Sequence, residues 1–214
     1  MKIHKRAQSR AEELANSISH GVGLIGALVA APILMVMTAR SGTAANIVGA
    51  GIFSLCMVLT YLNSSLYHAM PQGRLKQSFR RLDHASIFLL IAGTYTPFTL
   101  GVLGGAWGWT LLGLIWAMAA WGLLLMRVGR LANPWLSNGL YLAMGWLILV
   151  AIVPMVTRME TAGLLWLLAG GMSYSVGVVF YALDARLRFG HFLWHLFVLA
   201  GTACHFFAVL WYAR

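Results

Sequence analysis

The stretch Gly101-Val102-Leu103-Gly104-Gly105-Ala106-Trp107-Gly108 decides how this chain folds. It lies in the middle of residues 84–126, a run without Asp, Glu, Lys or Arg between Asp83 and Arg127. An α-helix crosses a bilayer in about 20 residues. The run is therefore long enough for two crossings, and its glycines mark the turn between them. Working outward, the charge-free gaps 14–39, 41–73, 131–157, 161–183 and 189–213 each hold one more crossing. The spacing predicts seven helices, at 18–39, 45–68, 84–102, 107–127, 135–156, 161–183 and 190–212. The expected fold is all-α: a polytopic membrane protein, one seven-helix bundle spanning residues 1–214, with a short basic N-terminal segment at 1–13.

Composition agrees. The 214 residues are 60% hydrophobic and 9% charged, with a mean hydropathy of +0.79, whereas a soluble domain carries about 25% charged residues. Lys2, Lys5, Arg6 and Arg10 ahead of the apolar run 22–37 imitate a signal peptide. Glu12 and Glu13 interrupt that pattern, so this segment is kept as the first helix. Glycines such as Gly21, Gly23, Gly26, Gly170 and Gly171 suit close helix packing. Pro32, Pro97 and Pro154 are expected to kink their helices. Cys56 and Cys204 read as reduced packing residues.

Lys and Arg set the orientation. Placing the N-terminus and loops 2–3, 4–5 and 6–7 on one side gathers Lys2, Lys5, Arg6, Arg10, Arg74, Lys76, Arg80, Arg81, Arg127, Arg130, Arg186 and Arg188. Only Arg40, Arg158 and Arg214 fall opposite. The positive-inside rule then puts the N-terminus in the cytoplasm and the C-terminus outside. The net charge of +10 is a topology signal and an attraction to anionic lipid. It calls for no nucleic acid as partner. A bacterial cytoplasmic (inner) membrane is the expected location, with membrane lipids as the partners.

On this map the polar residues land at one depth. Ser64 and His68 close helix 2, Asp83 and His84 open helix 3, and His191 and His195 open helix 7. Glu13, Asn16 and His20 follow an i, i+3, i+7 pattern at the entrance of helix 1, which is one face. His191 and His195 also share a face and can hold one ion with His68. Three histidines suit zinc, and a catalytic zinc keeps a fourth position open for water. A carboxylate beside that water makes the arrangement hydrolytic.

Plainer roles compete at several positions. Asp83 also suits an N-terminal cap on helix 3, and Ser64 a bond back to a helix carbonyl. His84 points about 100° from Asp83 on a helix and is a poor ligand candidate. His205 lies about 15 Å deeper than His195 by helix rise, too far to share the ion, and reads as a cavity-lining group or buried polar contact. His4 reads as an interfacial residue.

Taken together, Glu13-x-x-Asn16-x-x-x-His20, Ser64-x-x-x-His68, Arg81-Leu-Asp83-His84, Ala92-Gly-Thr-Tyr-Thr-Pro97-Phe and His191-x-x-x-His195 with His205 resemble the hemolysin III family. That family is the bacterial branch of the progestin and adipoQ receptor superfamily, related to heptahelical membrane hydrolases that include alkaline ceramidases. The resemblance runs from Glu13 to His205. It implies zinc on His68, His191 and His195, with Asp83 as the water-orienting group or base and Ser64 as a polar partner. It further implies a zinc-dependent hydrolase of a lipid amide or ester whose chain occupies the bundle. Without a long soluble N-terminal region, no hormone-binding role is expected. Nothing in the sequence looks like a secreted pore-former, despite the family name. Two other classes stay open: a non-enzymatic, metal-stabilised regulator or sensor of membrane state, and an ion or proton pathway. The last would want ionisable groups through the full depth, and only His205 lies deep.

Overall fold

The computed structural model describes residues 6–213. Lys2, His4, Lys5 and Arg214, used above for orientation and interfacial roles, lie outside them. Among the described residues seven spans are long and apolar enough to cross a membrane. They are built from eight α-helices: α1 (Arg10–Ser41), α2 (Ala44–Ala69), α3 (Arg74–Pro97), α4 (Gly105–Arg127), α5 (Pro134–Gly145), α6 (Ile152–Arg158), α7 (Thr161–Ala182) and α8 (Gly190–Tyr212). No strand occurs among the described residues.

Local chemistry sets the ends of these helices. Ser9 caps α1 and Thr43 caps α2. In each, a side chain three residues on, Glu12 or Asn46, returns a bond to the cap's own N–H. After Pro97, which has no N–H to donate, the chain widens into a π-helical turn at Phe98–Leu103. Gly104 and Gly105 then reverse the chain at positive φ, 53° and 49°, a region that disfavours a Cβ. The glycine turn therefore falls where the sequence places it. Pro32 is carried inside the single helical segment of α1.

Two spans start earlier than the charge gaps suggest, α1 at Arg10 and α3 at Arg74. Asp83 is thereby nine residues inside α3 and is not its N-cap, which is Gly73. The capping role for Asp83 is corrected accordingly. The fifth span is broken: α5 ends at Gly145, a 3-10 segment covers Leu147–Ala151, and α6 follows with Pro154 in its first turn. The Tyr95 hydroxyl repairs the break. It lies 2.8 Å from the carbonyls of Met144 and Gly145 and accepts the N–H of Ile148 at 2.8 Å. Freed backbone groups at membrane depth are tolerated when protein satisfies them in this way.

The buried apolar core is centred on α2 and α3, with Phe53, Met57, Phe88 and Leu90 nearly inaccessible and Leu34 and Ile115 packed against them. Close approach depends on glycine at Gly49, where a Cβ would come within 2.7 Å of the Pro97 Cα. Ile25, Val29, Val153 and Leu165 point outward, as expected for a surface solvated by lipid tails. One end of the bundle, the basic end, carries the α1 start, the α2–α3 and α7–α8 connections and most of the cations.

Candidate metal centre

Ligand atoms of His68, His191 and His195 lie within 4.8 Å of one another. The last turn of α2 supplies the first, and the first two turns of α8 supply the others. Each ring has a polar group behind Nδ1. Glu13 Oε2 is 2.8 Å from His68 Nδ1. The Asn16 carbonyl and Ser19 Oγ are 3.2 and 3.1 Å from His195 Nδ1. Asp184 Oδ2 is 3.5 Å from His191 Nδ1, an ion-pair distance rather than a hydrogen bond. Partners of this kind fix the tautomer and aim the other nitrogen at a metal. Glu13 is itself held by Lys76 Nζ at 2.9 Å, and Lys76 also donates to the carbonyls of Tyr67 and Met70 at the end of α2.

The donor set fits a metal ion on a second ground. Ser64 Oγ, His68 Nε2, Asn16 Oδ1 and both His20 nitrogens are buried without a hydrogen-bond partner. Buried polar atoms are ordinarily paired, so this cluster is incomplete on its own. An ion and attendant water would complete it. Ser64 makes no bond back to its helix, so that alternative does not hold.

Glu13 and Asn16 stand behind ligand histidines, as given above. His20 stacks on His195, ring centroids 3.5 Å apart and planes 6° apart. Asp83 lines the same cavity as His20, His191 and His195. His205 lines that cavity much deeper, outside the three-histidine group, with its ring against Gly170 and stacked near Tyr174. His84 hydrogen-bonds the Arg80 carbonyl through Nδ1 at 2.8 Å and meets the Tyr181 hydroxyl through Nε2 at 3.3 Å, so it is spent on the scaffold. Sequence reading missed Ser19, Lys76 and Asp184. The i+3 spacing of Ser19 from Asn16 was available as a signal, but nothing in sequence ties Lys76 or Asp184 to a histidine. It also missed Glu12, whose Ser9-x-x-Glu12 capping box was visible. That carboxylate raises the Arg6 guanidinium above its ordinary value, chiefly by hydrogen bonding.

The histidines sit between two spaces. Inward lies a cavity of about 330 Å³, walled mainly by aliphatic and aromatic side chains of α3, the broken fifth span, α7 and α8. Leu149, Ile152 and Val156 on one side and Leu165 and Leu168 on the other line it and are also strongly exposed, so it opens sideways between the broken span and α7. Toward the basic end, His68 borders a polar recess lined by Gln8, Arg10, Glu13, Ser17, Gln72 and Lys76.

Comparison with known proteins identifies the family. Residues 8–206 match the family model described as Haemolysin-III related. The chain is 43% identical to Hemolysin-3 of Bacillus cereus over 213 residues, 99% of this chain and 96% of that protein. It is 41% identical to a Hemolysin-3 homolog of Bacillus subtilis (strain 168), covering 94% of each. Further off, it is 28% identical to the human Monocyte to macrophage differentiation factor, over 92% of this chain and 83% of that one. With seven spans, three converging histidines and a match along nearly its whole length, the chain belongs to the haemolysin III-related family of integral membrane proteins, within the progestin and adipoQ receptor superfamily.

Proposed function

We propose that this protein is a zinc-dependent hydrolase of a lipid amide or ester, acting in the bacterial cytoplasmic membrane with its three histidines near the cytoplasmic face. The observation that carries this reading is the junction. Three mutually oriented histidines stand where a polar recess meets an apolar cavity that opens to lipid. A purely structural ion has no use for that access. A volume of about 330 Å³ is at the small end for ligand pockets and suits one acyl chain better than two.

Bound there, zinc supplies Lewis acidity toward a carbonyl and toward water. His68, His191 and His195 hold it, with Glu13 and Asn16 fixing ring orientation. The acyl chain enters sideways between the broken span and α7, which leaves its carbonyl at the histidines. Water comes from the basic end. Asp83 takes a proton from the attacking water, and the partnerless Ser64 hydroxyl donates to the oxyanion that forms. A C–O bond forms as the C–N or C–O bond to the leaving group breaks, and the proton passes from Asp83 to the departing amine or alcohol.

Two variants test this. Protein reconstituted in vesicles should contain close to one zinc per chain, and the His191→Ala, His195→Ala double variant should contain almost none. Unchanged metal in that variant would reject the ligand assignment. Asp83→Asn should keep its zinc but lose roughly 10²–10⁴-fold in turnover of a lipid amide or ester, the usual contribution of a positioned proton acceptor. Zinc-loaded protein that turns over no such lipid, or an Asp83→Asn variant as active as its parent, would favour a metal-stabilised regulator of membrane state.

A further inference from the structure

Glu12 accepts hydrogen bonds from Arg6, Ser9 and Phe189 at the basic end, none of them a histidine. It is 3% exposed. Arg6 meets both of its oxygens, and the Ser9 hydroxyl and Ser9 N–H donate to Oε2 at 2.8 and 2.9 Å. Its Oε1 also accepts the N–H of Phe189 at 2.9 Å, from a residue 177 positions away. Phe189 is the N-cap residue of α8 and has no side-chain cap of its own. The bond from Phe189 to Glu12 therefore supplies, across the fold, what a capping-box glutamate supplies within one helix. One carboxylate closes the N-terminal ends of both α1 and α8, and its charge favours both helix dipoles.

Phe189 is also the one described non-glycine residue with positive φ, at 58°. L side chains seldom hold that conformation unless their surroundings impose it. Two residues later comes His191, and one turn beyond it His195. On α1, the residue after Glu12 is Glu13, which orients His68, and Asn16 follows, whose carbonyl orients His195. Glu12 thus locks together the two helix starts from which two ligands and two orienting groups project.

We infer that Glu12 is a positioning residue for the metal centre, holding Phe189 in its left-handed conformation so that His191 and His195 meet His68. The inference rests on the three-histidine ligand set proposed above but not on hydrolysis. Zinc affinity of the purified full-length protein, measured by competition with a chromophoric chelator, tests it. Glu12→Ala should weaken zinc binding 10- to 100-fold, the usual cost of losing an outer-shell partner. Amide exchange in the first turn of α8 should rise while that in α3 stays as in the parent. Glycine adopts positive φ freely, so Phe189→Gly should bind zinc within about threefold of the parent and should restore most of the affinity in the Glu12→Ala background. Zinc binding at parental strength in Glu12→Ala would overturn the inference. So would an undiminished loss in the Glu12→Ala, Phe189→Gly variant, which would mean that Glu12 acts on general stability. Failure of the parent protein to bind zinc would instead refute the ligand set.

Discussion

A histidine in a membrane holds a metal well only if something behind it fixes the ring, and here that support differs from ligand to ligand. His68 has a carboxylate at 2.8 Å, His195 a carbonyl and a hydroxyl, and His191 a carboxylate at 3.5 Å. Removing the carboxylate behind His68 should therefore cost most: Glu13→Gln is expected to lower zinc affinity 10- to 100-fold, read by chelator competition. Lys76 acts one step further out. It pairs with Glu13 and covers the Tyr67 and Met70 carbonyls, so Lys76→Ala leaves polar groups at the end of α2 short of a donor. That should destabilise the protein by about 1–3 kcal/mol, seen as a lower unfolding midpoint in detergent. His205 is the control, since it shares the cavity but not the ligand group. His205→Gln should bind zinc as the parent does. The converging histidines were legible because few other polar residues compete with them in so apolar a chain. Asp184 and Lys76 were not, because their role depends on which loops lie side by side.

At the scale of the helices, hydropathy measured the membrane and not the helix. Charge-free gaps locate the hydrocarbon layer, about 30 Å thick. α1, with 32 residues, is about 48 Å long at 1.5 Å per residue and continues well beyond it. The same excess turns Arg74–Asp83 into helix where charge alone suggested loop. The broken fifth span escaped notice for a different reason. Pro154 flagged a disturbance, but the helix opens earlier, from Trp146 to Ala151, where no residue type announces it. What sustains the break is Tyr95 on α3, with one hydroxyl serving two carbonyls and an N–H. Tyr95→Phe leaves all three without their partner and should cost about 1–3 kcal/mol. Because the broken span forms one wall of the cavity, the same variant should also show faster amide exchange at 145–149 than elsewhere in the bundle.

Across the whole molecule, the basic end and the sideways opening together define how a ligand would meet the histidines. Excess Lys and Arg at that end leads us to expect it in the cytoplasm, and reporters fused after Arg74 and after Arg186 should both be cytoplasmic. On the proposed function, a lipid would reach the histidines through the opening between the broken span and α7. Narrowing it should separate access from chemistry. Leu149 and Leu165 line the opening and are 53% and 59% exposed, so tryptophan at either position adds bulk in lipid rather than in the core. Leu149→Trp combined with Leu165→Trp should reduce labelling of cavity residues by a photoreactive fatty-acyl lipid several-fold while zinc content stays at the parental level, because the portal leucines lie on the broken span and α7 whereas the three histidines lie on α2 and α8. Equal labelling in parent and variant would show that chains reach the cavity elsewhere. Loss of zinc alongside labelling would mean that the portal and the metal helices move as one unit, which the tight α7–α8 packing through Gly170 and Gly177 makes the informative alternative.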